Sequence, residues 1–253
     1  MKTHISFSLE DRVGRALLSG RESGNRLGTE DLRQLAEGLE ELAGEGPAVI
    51  VLEGSGADFC LGRDPGGDSD PAAARESLAM VLDLGDRIRT LPVLVLAAVQ
   101  GRARGLGAGL VLHADLALAE AGATLAFDEV ERGFPPTLVM TYVERYLPRK
   151  LAREMVATGR SLSAADALGL GLLNGVAASG ELPAAAAALS AELASRDPRA
   201  LGACKPFLAE REWLPPNQRA ARGIEAGVEF FSRAHGAASS SANNDENGGK
   251  ETR

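Results

Sequence analysis

The apolar positions along this chain change period several times, and each change marks an element. Ile5, Phe7 and Leu9 alternate with polar residues, and Val13 to Leu18 follows after Glu10-Asp11-Arg12. That pattern predicts two strands joined by a tight turn. Leu32, Leu35, Leu39 and Leu42 then recur at the spacing of one helix face. Thr29 reads as the N-cap of this helix, with Glu30 and Asp31 in the first turn and Gly44 at the end. Behind Pro47, Ala48 to Leu52 is an unbroken apolar run, the pattern of a strand covered on both faces. Residues 54–70 read as a loop and 72–90 as a helix. Val93 to Val99 reads as a second buried strand, and Leu116 to Ala119 and Thr124 to Phe127 as two short ones. Strands alternating with helices predict a parallel α/β core. After Pro135-Pro136 the pattern is helical, over 137–146, 149–158, 163–168, 181–195, 199–212 and 217–234. From Ala237 onward no apolar residue exceeds alanine in size, and this tail is expected to be disordered.

Composition narrows the function classes. Aromatic residues make up only 4% of the 253, so Ala, Leu, Val and Gly must build the core through close layering of helices on sheet. The net charge of −8 argues against a face for nucleic acid or anionic membrane, although a local basic patch can still hold phosphates. Two cysteines, Cys60 and Cys204, do not make a secreted disulfide framework. The first ten residues lack the pattern of a signal peptide. The longest mostly apolar run, Leu91 to Gln100, is about half of the roughly 20 residues that a membrane span needs. The expected location is the cytoplasm.

Two glycine-bearing loops each follow a buried strand. One runs from Gly54 to Asp64, and the other from Gln100 to Gly109. Glycine there permits tight turns and close approach to a ligand. The second loop leads into Leu110, Val111 and Leu112, so it is expected to open a helix whose first N–H groups have no helical acceptor. The residues alone leave two readings open, a structural joint or an anion site. A dinucleotide turn would need its third glycine at position 110, which is Leu. No His/Cys cluster suggests a metal.

Five stretches taken together resemble one family. They are Asn25-Arg26-Leu27, GADFCLGRD at 56–64, PVLVLAAVQGRARGLGAGLVLHADLALA at 92–119, FDEVERGFPP at 127–136 and TGRSLSAADALGLGLLNGV at 158–176. In order and spacing they are similar to the motifs of the crotonase (enoyl-CoA hydratase/isomerase) superfamily, from about Ile5 to Phe231. The resemblance implies an α/β fold, a ClpP/crotonase-like spiral of ββα units with a C-terminal helical region. It also implies a core over 1–190 and a helical trimerisation region over 191–236, ahead of the tail at 237–253.

The resemblance further implies an acyl-CoA thioester as substrate, with no resident cofactor, and a homotrimer or dimer of trimers. In this family two backbone N–H groups hold the oxygen of a thioester enolate. The matching positions are Arg63 and Leu106. Glu129 matches a glutamate that transfers a proton; without the resemblance it reads as a solvated residue of an acidic stretch. A second family glutamate falls on Gly109, which has no side chain. Its loss favours movement of a double bond through Glu129 alone over hydration. Thioester hydrolysis, decarboxylation and non-catalytic acyl-CoA binding stay open as alternatives. Arg26 and Lys205 match positions near CoA, and Asp64 matches an aspartate beside the first loop; surface charge and loop capping are the competing readings. Arg63 and Arg102 are further candidates for the CoA phosphates, and Asp68 sits beside the same loop. His113 reads as a packed histidine, Asp115 as structural, Cys60 as a small buried side chain, and His235 as inert.

Overall fold

The computed structural model describes residues 3–20, 22–67 and 70–247. In chain order the first elements are β1 (His4–Glu10), β2 (Val13–Ser19), α1 (Thr29–Gly44), β3 (Val49–Gly54), α2 (Pro71–Thr90), β4 (Leu94–Val99), β5 (Arg102–Arg104) and α3 (Leu106–His113). Then come β6 (Leu116–Glu120), β7 (Thr124–Ala126), α4 (Thr137–Met140), α5 (Val143–Tyr146), α6 (Arg149–Thr158), β8 (Leu162–Ser163), α7 (Ala164–Gly169), β9 (Gly175–Ala177), α8 (Leu182–Ala194), α9 (Pro198–Trp213) and α10 (Pro216–Asn247). The two-strands-then-helix repeat shows in β1–β2–α1 and again in β4–β5–α3.

Six strands form one sheet in the order β1-β2-β3-β4-β6-β9. Only β1 runs antiparallel to its neighbour. Asp11 and Arg12 turn the chain between β1 and β2 with positive φ. The unbroken apolar runs have a plain cause. In β3, Ile50 and Leu52 join a core with Leu32, Leu35 and Leu39 of α1 and Leu84 and Ile88 of α2. Val49 and Val51 point the other way, into a second core with Leu182 and Ala186 of α8. Successive strand residues face opposite layers, so both sets must be apolar. A second sheet, β5-β7-β8, stands apart from the first.

Several expectations change in detail. The N-cap of α1 is Gly28, because Asp31 turns back to accept the Gly28 N–H at 3.0 Å. The helix expected over 137–146 is two single turns, α4 and α5, separated at Thr141 and Tyr142. Strands β5, β8 and β9 were not expected; they are two or three residues long, too short to show a period. The backbone of 237–247 belongs to α10, with no Gly or Pro to interrupt it, while 248–253 of the expected tail lie outside the described residues. Asp68 and the His235 side chain also lie outside them.

The chain divides into two compact units after Gly202. The first holds both sheets and every residue that lines the cavity described below. In the second, α10 carries Ile224, Val228 and Phe231 at helical spacing, all exposed.

The turn into α3 is tightly packed against the first loop. A Cβ on Gly107 would sit 2.1 Å from the Cys60 carbonyl oxygen, a backbone atom that cannot step aside alone. Gly107→Ala is therefore expected to cost about 1–3 kcal/mol or more in denaturant unfolding. Gly122→Ala, where a Cβ meets nothing within 4 Å, is expected to change stability by less than about 0.5 kcal/mol.

Candidate active site

The site begins with an asparagine. Asn25 is fully buried in left-handed backbone, and its side chain bonds four backbone groups. Its Nδ2 donates to the carbonyls of Ser55, Asp58 and Phe59 at 3.0, 2.8 and 3.0 Å, and its Oδ1 accepts the Gly20 N–H at 2.7 Å. These bonds fix the first glycine loop to the end of β2. The loop is then stitched to β5: the Cys60 N–H donates to Arg102 O at 3.3 Å and the Arg104 N–H to Cys60 O at 2.9 Å. A further parallel bridge pairs Leu27 with Arg63. Gly62 has φ +103, and a Cβ there would press on Arg104 O at 3.1 Å.

The second loop arrives from the other side. The Gly105 N–H donates to Ala126 O at 2.9 Å, and its positive φ turns the chain into α3. Leu106 is the first residue of that helix, so its N–H has no helical acceptor before it. The aligned peptides of α3 also favour negative charge at this end.

Both loops and the segment after β7 close round a cavity of about 800 Å³. Arg63, Leu106 and Glu129 all line it, so the three positions suggested for catalysis are gathered in one place. Glu129 opens a short 3-10 turn ending at Arg132. Its Oε1 lies 2.6 Å from where a Gly105 Cβ would be, so glycine at 105 makes its room. Its Oε2 is buried without a hydrogen-bond partner. Burial holds this carboxyl above the ordinary glutamate range, with the Asp128 charge adding to the effect against the pull of its own backbone N–H and of Arg132.

The other candidates divide. Arg26 and Asp64 line the cavity. Arg26 Nη1 donates to Leu61 O at 2.5 Å, and Asp64 Oδ1 accepts the Gly66 N–H at 3.0 Å, so each also braces the first loop. Arg63 reaches Ser77 of α2 at 2.9 Å through its guanidinium. Lys205 is buried in α9 and belongs to the second unit. Arg102 is outside the cavity lining and pairs bidentately with Asp58, Nε and Nη2 each at 2.8 Å. Asp115 Oδ2 accepts the Val95 N–H at 2.8 Å, a structural role. Cys60 is buried, and burial pushes its thiol up to about 12, so it is a poor nucleophile.

Sequence reasoning missed Leu78, Val81, Arg132, Phe134, Leu138, Val139 and Tyr142 on the cavity wall. Tyr142 left a faint signal: the chain has only two tyrosines, and both sit just past the double proline. Among the described residues, no group of three or more His, Cys, Asp or Glu side chains is placed to hold a metal ion, and no helix is long and apolar enough to cross a membrane.

Known proteins are similar in sequence and fold. Residues 10–237 match the family described as Enoyl-CoA hydratase/isomerase. A Thermus thermophilus protein whose name carries the words enoyl-CoA hydratase is 34% identical over 206 residues, covering 78% of this chain and 80% of its own. An enoyl-CoA isomerase/hydratase of Mycosarcoma maydis is 30% identical over 183 residues, covering 71% and 65%. The crystal structure of an enoyl-CoA hydratase from Mycobacterium smegmatis matches with TM-score 0.84 at 28% identity, over 88% of this chain and 89% of that one. With the family match running over most of the chain and the fold shared with solved members, this protein belongs to the enoyl-CoA hydratase/isomerase family and has the crotonase fold.

Proposed function

We propose that this protein moves a double bond of an enoyl-CoA thioester between carbons 3 and 2, with Glu129 as the single proton carrier. The observation that carries the reading is the pairing of Glu129 with Gly109. Glu129 keeps a buried, unpartnered carboxylate oxygen in the cavity, while Gly109 supplies no side chain to α3. The other carboxylate on the wall, Asp64, is engaged with the first loop.

In the proposed reaction Glu129 takes a proton from C2, and the electron pair of that C–H bond moves onto the thioester. The oxygen of the resulting dienolate accepts hydrogen bonds from the N–H groups of Arg63 and Leu106. Glu129 then returns the proton to C4, and the double bond comes to rest between C2 and C3. No proton is gained or lost overall. One preorganised donor of this kind is worth on the order of 3 kcal/mol in the transition state. A carboxyl held above its ordinary range suits proton removal from a weak carbon acid. Arg26 at the cavity is the proposed contact for the CoA phosphates. The proposed assembly is a homotrimer or dimer of trimers, and the proposed location is the cytoplasm.

The reading is tested with 3-hexenoyl-CoA and crotonyl-CoA, following the absorbance of the conjugated thioester. Conjugation is expected to rise with 3-hexenoyl-CoA; silence with that substrate sinks the proposal. Glu129→Gln is expected to lower turnover by at least a hundredfold while acyl-CoA still binds. The acid limb of kcat/KM is expected at a pH above the ordinary glutamate value of about 4.3, because the base must be ionised and its pKa is raised. A limb at or below that value would show that Glu129 is not the group titrating.

A further inference from the structure

Glu129 is not the only polar group in this cavity without a protein partner. Tyr142 lines the same wall, and its hydroxyl makes no hydrogen bond to any described residue. The hydroxyl lies 2.5 Å from where a Cβ on Gly109 would be. Glycine at 109 is thus the room the hydroxyl occupies, as glycine at 105 is the room for Glu129. The two groups abut one side of the same helical turn, which the Gly109 N–H closes on Gly105 O at 2.9 Å.

The tyrosine is held from behind. Its ring packs on His113 of α3 at 4.5 Å between centroids, and on Tyr146 at 6.4 Å edge to face. His113 Nδ1 and the Tyr146 hydroxyl are hydrogen-bonded at 3.1 Å. Gly85 of α2 leaves space for the imidazole, since a Cβ there would sit 2.8 Å from the ring. Burial drives His113 down to about 4, and burial together with the Glu129 charge raises Tyr142 above the ordinary phenol range. Tyr142 therefore offers a fixed, neutral hydroxyl on a wall whose other groups nearby, Leu138, Val139 and Val81, are apolar. Facing the cavity with no protein partner, this hydroxyl is free to bond a ligand there.

Position decides which part of the ligand. Gly109 lies three residues along α3 from Leu106, about 4.5 Å of helix rise. That separation reaches from the thioester oxygen to the first acyl carbons and falls short of the end of a long chain. We propose that Tyr142 is a further catalytic residue whose hydroxyl hydrogen-bonds an oxygen at the acyl β-carbon, either a substituent already there or the water that becomes one. The inference rests on the acyl-CoA reading above and extends it to substrates oxygenated at that carbon. In the water case, Glu129 takes a proton from the water as its oxygen bonds to C3. The C2=C3 π pair moves onto the thioester as an enolate, and the same proton returns from Glu129 to C2.

The test compares dissociation constants of 3-hydroxybutyryl-CoA and butyryl-CoA for wild type, Tyr142→Phe and Gly109→Ala, with thermal unfolding to verify that each variant folds. One neutral hydrogen bond predicts that wild type holds the hydroxylated thioester about two- to tenfold more tightly. Both substitutions are expected to bring the ratio close to one. Phenylalanine removes the hydroxyl, and a methyl at 109 displaces it without touching the tyrosine chemically. Hydration of crotonyl-CoA by wild type, falling with the ratio in both variants, identifies the oxygen as water; a ratio without hydration identifies a substituent. Equal binding of the two thioesters by wild type, or a preference that survives in folded Tyr142→Phe, overturns the role of Tyr142 alone. Failure of wild type to bind either thioester overturns the acyl-CoA reading and this inference with it.

Discussion

The site depends on one contact between two stretches of backbone. The first turn of α3 lies so close to the Cys60 carbonyl that only glycine fits at 107. This approach brings Leu106, at the positive end of a helix, to the cavity that Arg63 reaches from the other loop. Everything around it serves to hold the two loops in register: the Asn25 side chain on three carbonyls, the bonds between Cys60 and β5, and the left-handed turns at Gly62 and Gly105. Glycines 105, 107 and 109 alternate because three different neighbours press on that turn. Glu129 lies against the first, the Cys60 backbone against the second and the Tyr142 hydroxyl against the third.

The second constraint is electrostatic. A carboxylate oxygen buried without a protein partner costs stability, because burial strips its water and no protein group replaces it. Such a cost is common where a group must react with a ligand instead of bonding to its own fold. Asp58, Asp64 and Asp115 show the contrast, since each is matched to backbone N–H groups or to an arginine. Glu129 differs from them in its surroundings, not in its chemistry. Tyr142 is its neutral counterpart: a second carboxylate there would repel both Glu129 and an enolate, while a phenol does neither.

How much of this was legible follows from what each feature asks of the chain. The central strands β3 and β4 of the main sheet showed plainly because burial on both faces demands unbroken apolar runs, as in Val49 to Leu52. Helices α1, α2 and α6 matched their spacing closely. The short strands β5, β8 and β9 carry too few residues to have a period, and β5, read as Arg-Ala-Arg, looks like loop. Thr29 lost the cap of α1 because Asp31 bonds back to Gly28, and composition cannot weigh one local hydrogen bond against another. Glu129 needed the family resemblance; in isolation its acidic neighbours make it look solvated. Tyr142 was missed because its role exists only in space. It reaches Gly109 from 33 positions away, through a break between α4 and α5 that the helical pattern of 137–146 does not reveal.

The central claim is that Glu129 and the two loop N–H groups together make a thioester enolate. Proton exchange tests this directly and without any later chemical step. Butyryl-CoA, which has no double bond to move, is held with the protein in deuterium oxide while the C2 protons are followed by NMR. The account predicts that wild type exchanges a C2 proton for deuterium, and that Glu129→Gln binds the thioester but does not exchange it. Exchange at an undiminished rate in Glu129→Gln, or its absence in wild type saturated with butyryl-CoA, would contradict the account.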